Sequence, residues 1–214
     1  SDDKANRAVD ANDKPHSHST NKIKDARVSI ICFVLLMVST IPVVILIRYL
    51  SGTDWRTFEI DGTTRKYLYH GPEKGLGENQ ALVAVLHGFM GNAITLRKDS
   101  QFNSVADMHN FAVVYPQGSE DYKGRTFYNV GYEMHRDEVV DDSNFIMELM
   151  LFLARENNLS MKHLFVTGFS NGGDIIYQMG CLYPHILAGV APISGMMLNS
   201  VTMSTSCQTP STIS

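Results

Sequence analysis

The sequence predicts an α/β fold, a mostly parallel sheet flanked by helices, incomplete at its C-terminal end and preceded by one transmembrane helix. Three observations carry this. Short unbroken apolar runs alternate with segments of helical period, the pattern of βαβ units. A glycine-flanked serine, Ser170, stands where one such run gives way to a helical pattern. Far upstream, Val28 to Ile47 (VSIICFVLLMVSTIPVVILI) contains no charge over 20 residues.

The 214 residues suit one domain with attachments, and 44% hydrophobic against 19% charged residues is a globular composition. A net charge of -4 without a large block of one sign gives no electrostatic footprint for nucleic acid, so no such partner is expected. The first 27 residues are polar and too poor in apolar side chains to offset their ordering entropy, so residues 1–27 read as a disordered tail. His16 and His18 fall there and read as solvated rather than metal-binding. A helix rises about 1.5 Å per residue and crosses a core of roughly 30 Å in about 20 residues, which makes 28–47 a signal anchor contacting the membrane. Pro42 is expected to kink it. Lys22, Lys24 and Arg27 precede the run, so the tail is placed in the cytoplasm and the rest of the chain outside it. The alternative is a cleaved signal peptide and a secreted domain, although the run exceeds the usual apolar length of about 7–15 residues.

Residues 48–55 read as a linker and 56–214 as a partial globular domain. Arg56 to Ile60 and Arg65 to His70 alternate around Asp61-Gly62 and predict a hairpin. Ala81 to Leu86, Phe111 to Tyr115 and Leu164 to Thr167 are continuous apolar runs, as in strands buried on both faces. Leu187 to Ile193 is a weaker fourth. Phe102 to His109 predicts a short helix. A longer one follows a cap at Asp141 or Asp142, with Phe145, Leu149 and Phe152 on one face, and a third runs from about Asn171 to Leu182.

The chemistry centres on Gly168-Phe169-Ser170-Asn171-Gly172. An apolar strand enters this motif and a helical pattern (DIIYQMGCL) leaves it, the context a nucleophile elbow requires. Side chains two positions before and two after the serine would strike neighbouring backbone, hence Gly168 and Gly172. The helix starting there aims N–H groups and its positive dipole end at any oxyanion. A second motif, His87-Gly88-Phe89-Met90-Gly91-Asn92, follows the strand ending at Leu86. In α/β-hydrolases this loop donates one oxyanion N–H and the residue after the nucleophile the other. The expected donors are Phe89, with Met90 as its alternate, and Asn171. His87, in an HG turn, reads as structural rather than as a base.

Taken together, DGTTRKYLYHGP, VAVLHGFMGNA, FAVVYPQG, VDDSNFI, HLFVTGFSNGGDIIYQM and LAGVAPISG resemble the polyhydroxybutyrate depolymerase and feruloyl esterase group of α/β-hydrolases. They stand in family order over nearly all of Phe58 to Met197. The resemblance implies a serine esterase that cleaves feruloyl, acetyl or hydroxyalkanoate esters through an acyl-enzyme on Ser170. Small-molecule or polymeric esters are then the substrates, and no cofactor or metal is implied. One stretch departs from the group: Arg125 to Glu133 (RTFYNVGYE) lacks the Trp and the cysteine pair common there, although Asn129 matches its asparagine.

The triad order is Ser, then an acid, then His. After Ser170 the only acid is Asp174 and the only histidine His185, both tied to the elbow helix and out of reach. His70, His87, His109, His135 and His163 precede Ser170 and none occupies the group's base position. The acid and histidine are therefore expected outside this chain, beyond Asn199 to Ser214. Two other readings stand beside the esterase: a serine peptidase of the same fold, and a catalytically inactive, membrane-tethered hydrolase fold used for binding. Cys181 and Cys207 are left open between a disulfide and two thiols, and Asn158-Leu159-Ser160 is a glycosylation sequon.

Overall fold

The structure, a computed structural model, describes residues 54–72 and 79–198. The tail, the segment 28–47, most of the linker, His16, His18, Cys32, Cys207 and the 199–214 stretch lie outside the described residues. Among the described residues no helix is long and apolar enough to cross a membrane.

Two strands open the fold as a hairpin: β1 (Arg56–Ile60) pairs antiparallel with β2 (Thr63–His70), Ile60 facing Thr63. The turn needs positive φ at both central residues, and Asp61 (φ 50°) with Gly62 (φ 72°) supplies it. Next come β3 (Leu82–Leu86), α1 (Ala93–Ser100), α2 (Phe102–His109) and β4 (Ala112–Pro116). A two-stranded excursion, β5 (Ser119–Glu120) with β6 (Thr126–Phe127), leads to a 3-10 turn at Glu133–His135. Then follow α3 (Asp142–Glu156), β7 (Leu164–Phe169), α4 (Asn171–Leu182) and β8 (Gly189–Ile193).

The six-stranded sheet has the order β1-β2-β4-β3-β7-β8. β2 runs antiparallel to β4, whereas β4, β3, β7 and β8 are mutually parallel, so the expected mostly parallel sheet is present. Side chains alternate across it with period two. Leu82, Ala84 and Leu86 of β3 join Ala112 and Val114 of β4 on the face covered by α3 and α4, where Phe145, Leu149, Ile175 and Met179 complete the core. Val85, Val113 and Tyr115 face the other way, onto Ala93 of α1 and Ala106 of α2. Trp55, which the sequence assigns to the linker, packs against this second cluster.

All three predicted helices form, α2 and α4 with the expected bounds, and Asp141 rather than Asp142 caps α3 by accepting from Asn144 N at 2.9 Å. β2 starts two residues earlier than the alternation suggests. The helix α1 and the β5–β6 pair are additions to the predicted elements. The sequon forms the turn after α3, with Asn158 exposed at φ 54°. Cys181 on α4 is disulfide-bonded.

With Asp141 serving as the cap, the Asp142 carboxylate is free to face inward, fully buried. One oxygen takes Arg65 Nη2 at 2.5 Å and Ser119 Oγ at 3.1 Å, and the other takes Asn129 N at 2.7 Å. Arg65 also lies over the Phe145 ring, 3.9 Å from its centroid. One carboxylate thus joins β2, β5, the loop at Asn129 and α3. Removing one partner of a buried pair strands the other charge at a cost of about 3–5 kcal/mol. Asp142→Ala is expected to lose roughly that much stability in urea unfolding; a loss below about 1 kcal/mol, the scale of an exposed pair, would contradict the buried-pair reading.

Candidate functional site

The parallel strands deliver their C-terminal ends to one edge of the sheet, and the chain reverses direction of travel between β3 and β7, the place where open α/β sheets form crevices. The residues singled out by motif lie at that edge, in the turn after β3, at the end of β7 and in the first turn of α4. Ser170 stands between β7 and α4 with φ 54° and ψ −119°, outside the regions a side chain ordinarily adopts. It is the N-cap of α4, yet its side chain makes no capping hydrogen bond, so the hydroxyl is not spent on the helix. Its backbone is held on both sides: Ser170 N donates to Ile193 O at 2.9 Å, and Ser170 O accepts from Asp174 N at 2.8 Å.

The elbow glycines sit where the steric reading puts them. A Cβ on Gly168 would lie 2.7 Å from Gly172 O and 2.7 Å from Leu86 Cβ; one on Gly172 would lie 2.6 Å from both Leu86 O and His87 O. The elbow is therefore pressed directly onto the end of β3 and the His87-Gly88 turn. A Cβ on Gly88 would come 3.4 Å from Ser170 Cβ, which places that loop beside the serine.

Among the described residues the Phe89 and Asn171 N–H groups donate to no backbone carbonyl, as oxyanion donors must not. The N–H of Met90, the alternate donor, is taken by Thr126 O at 2.7 Å, and the chain turns there at φ 61°. Asn171 is fully buried. Its Oδ1 accepts from Tyr128 N at 2.8 Å and its Nδ2 donates to Tyr128 O at 2.9 Å.

His87 is 2% exposed. Its Nε2 accepts from Gly118 N at 3.0 Å, so Nδ1 carries the proton and donates to Gly88 O at 2.8 Å. Burial lowers its pKa against the opposing hydrogen bond to Gly88, which keeps the ring neutral at pH 7. With both nitrogens engaged and its ring on Tyr128, 4.7 Å between centroids, His87 has the structural role expected of it.

Asp174 and His185 have other surroundings. Asp174 accepts from the Tyr132 hydroxyl and, at 2.6 Å, from Met196 N, while His185 is exposed beyond the end of α4. Burial, then the Asp174 carboxylate, pushes the Tyr132 pKa up to about 12. His163 precedes β7, at the far end of the sheet, with Nδ1 3.4 Å from Asn79 O. Asn129 holds its own loop, donating Nδ2 to Glu138 O at 3.0 Å and Val140 O at 3.1 Å.

Sequence reasoning passed over one cluster. His135 is buried against Phe127, 3.9 Å between ring centroids, and beside Phe89 at 5.8 Å, with Nε2 3.5 Å from Asp121 Oδ2. Burial opposes ionisation of Asp121, but hydrogen bonds from Arg125 and from Lys123 N outweigh it and hold the carboxyl well below its usual range. The partners meet only through the fold of the divergent loop, and no motif marks them.

The family described as Esterase PHB depolymerase matches residues 65–209. Acetylxylan esterase A from Talaromyces purpureogenus is 27% identical over 133 residues, covering 62% of this chain and 34% of that protein. Acetylxylan esterase A from Aspergillus oryzae is 24% identical over 121 residues, 56% of this chain and 39% of that protein. The chain thus spans well under half the length of these relatives. Among solved structures, an acetyl xylan esterase from Aspergillus awamori superposes with a TM-score of 0.56 at 22% identity, covering 67% of this chain and 53% of that one. At that identity the likeness speaks for the fold.

The contact at Gly172 gives a stability prediction. Gly172→Ala forces backbone apart and is expected to lower the Tm by roughly 10 °C, about 3 kcal/mol, in a thermal melt. Gly180→Ala, inside α4 with its nearest neighbour 3.7 Å away, is the control and is expected to leave the Tm unchanged or slightly raised. Equal behaviour of the two variants would refute the close-approach reading.

Proposed function

The chain belongs to the Esterase PHB depolymerase family, and on that premise we propose that it hydrolyses carboxylic esters through an acyl-enzyme on Ser170. The observation that carries this is the strained serine at the mouth of α4, its hydroxyl unused by the helix and the Gly88 loop beside it. Strain of this kind costs about 1–3 kcal/mol and persists only where the surroundings enforce it.

In the proposed reaction Ser170 Oγ attacks the ester carbonyl, and the negative charge that builds on the carbonyl oxygen meets the Phe89 and Asn171 N–H groups. The α4 dipole favours the same charge. The alcohol leaves, and water then releases the acid from Ser170. A serine hydroxyl needs a base to take its proton and an acid to orient that base. His87 is unsuited to the first task, because its Nε2 lone pair already accepts from Gly118 N and the ring is buried in a structural contact. We assign neither group among the described residues.

Relatives named acetylxylan esterase support short acyl esters, with feruloyl and hydroxyalkanoate esters as the remaining members of the substrate set. The departure of Arg125 to Glu133 from the group's pattern lies beside the site and bears on which of these is preferred.

We further propose that the domain is held outside the cytoplasm by the apolar segment 28–47. The disulfide at Cys181 supports that placement, since disulfides persist in oxidising compartments.

Two measurements test these readings. In the full-length protein Ser170→Ala is expected to reduce hydrolysis of p-nitrophenyl acetate by at least about 10³-fold and to abolish labelling by a fluorophosphonate. Parental turnover in that variant would remove Ser170 from the mechanism, and faster cleavage of amide than ester substrates would favour a peptidase. For placement, protease added to intact cells is expected to digest the domain; full protection until the cells are opened would put it on the cytoplasmic side.

A further inference from the structure

We propose that the short segment Thr126–Tyr128 is a strap that sets the spacing of the two oxyanion N–H groups, with the Asn171 carboxamide and Thr126 as its positioning residues. The inference rests on the Ser170 reading above, and it assigns side-chain roles that the elbow motif does not contain.

The two expected donors come from different places in the chain: Phe89 from the loop after β3, and Asn171 from the start of α4. The sheet aligns β3 with β7 as far as Leu86 and Gly168. Beyond those residues each loop leaves the ladder. Preorganised donors act only when both sit about 2.7–3.1 Å from the oxygen that gains charge. The glycine contact joins the loops as far as His87 and Gly88, whereas Met90 and Gly91, on the far side of Phe89, are held by other bonds.

The segment Thr126–Tyr128 touches both. On the first loop, Met90 N donates to Thr126 O at 2.7 Å and Thr126 Oγ1 donates to Gly91 O. These bonds hold the two residues that follow Phe89 and fix the left-handed turn at Met90. On the second loop, the Asn171 carboxamide takes both the N–H and the C=O of Tyr128. That is the two-bond pattern of a β-bridge, made here by a side chain, and it belongs to the residue whose own N–H is the donor.

The strap is itself held from below. A Cβ on Gly118 would fall 2.5 Å from Phe127 O, and the His87 ring lies on Tyr128. Asn171 has no solvent exposure, so water does not substitute for the Tyr128 bonds. Loss of either attachment would let one donor drift relative to the other while Ser170 stays fixed by Ile193 and α4.

Kinetics on the full-length protein decide it, with p-nitrophenyl acetate as substrate and phenylboronic acid as a mimic of the tetrahedral intermediate. A misplacement of about 1 Å costs up to about 10²-fold in rate. Asn171→Ala is expected to lower kcat by about 10- to 100-fold with KM within about threefold, and to weaken boronate binding by the same factor as kcat. Thr126→Val, which keeps the side-chain shape, is expected to lose about tenfold in kcat with the same split. Combining the two should cost less than the product of the single effects, because either one already frees the hole. The strap is overturned if both variants keep kcat within about threefold of the parent, or if kcat falls while boronate affinity is unchanged. Should Asn171→Ala fail to accumulate as folded protein, Thr126→Val decides by the same criteria. Ser170→Ala, run alongside, separates the two readings. With that variant inactive and both strap variants unimpaired, only the strap falls; with that variant at parental rate, the serine mechanism and the strap fall together.

Discussion

The contact on which the rest of the molecule depends is the approach of the elbow to the end of β3. Gly168 and Gly172 bring two backbone segments to a separation that no side chain permits, and Leu86 and His87 form the surface they meet. Close packing of this kind is rigid because neither partner has a rotamer to change. It forces Ser170 into its unusual backbone conformation, starts α4 at a fixed angle, and puts the His87-Gly88 turn beside the serine. The buried face beneath, from Leu86 through Ile175 to Met179, then has one arrangement open to it.

A second layer of constraint is polar. Asp142 joins β2, β5, the Asn129 loop and α3, while His87 ties the turn after β3 to Gly118. Asp174 joins α4 to Tyr132 and to the stretch after β8. These groups satisfy one another away from water, where a lost partner is expensive. The loops at the sheet edge thereby gain an order that short connections seldom have by themselves.

Much of this was legible in the sequence. Buried parallel strands need side chains apolar on both faces, so VAVL, FAVVY and LFVT announce themselves without alternation. The helix α3 carries a clear period in Phe145, Leu149 and Phe152, and the steric demand for Gly168 and Gly172 is local to the motif. Other features were hidden for physical reasons. AITLRKDS has no apolar stripe, and α1 depends on Asn92 capping Thr95 N and on Ala93 reaching the second core cluster. The strands β5 and β6 are two residues each, set by Asp121 folding the chain onto Lys123 and Arg125. The fate of the Met90 N–H and of the Asn171 carboxamide was settled by contacts between residues far apart in the chain. Such pairings leave no trace in composition or period.

The attachments of the strap have one further property. Thr126 O, Tyr128 N and Tyr128 O are backbone atoms, so three of its four bonds ask nothing of the side chains at 126–128. A loop held in this way is free to drift in sequence while its anchorage persists. That is the position of RTFYNVGYE, which lies across the elbow and the loop after β3. Sequence change at Phe127 and Tyr128 leaves those three bonds in place, whereas change at Thr126 removes the fourth, with the elbow and its glycines untouched in either case.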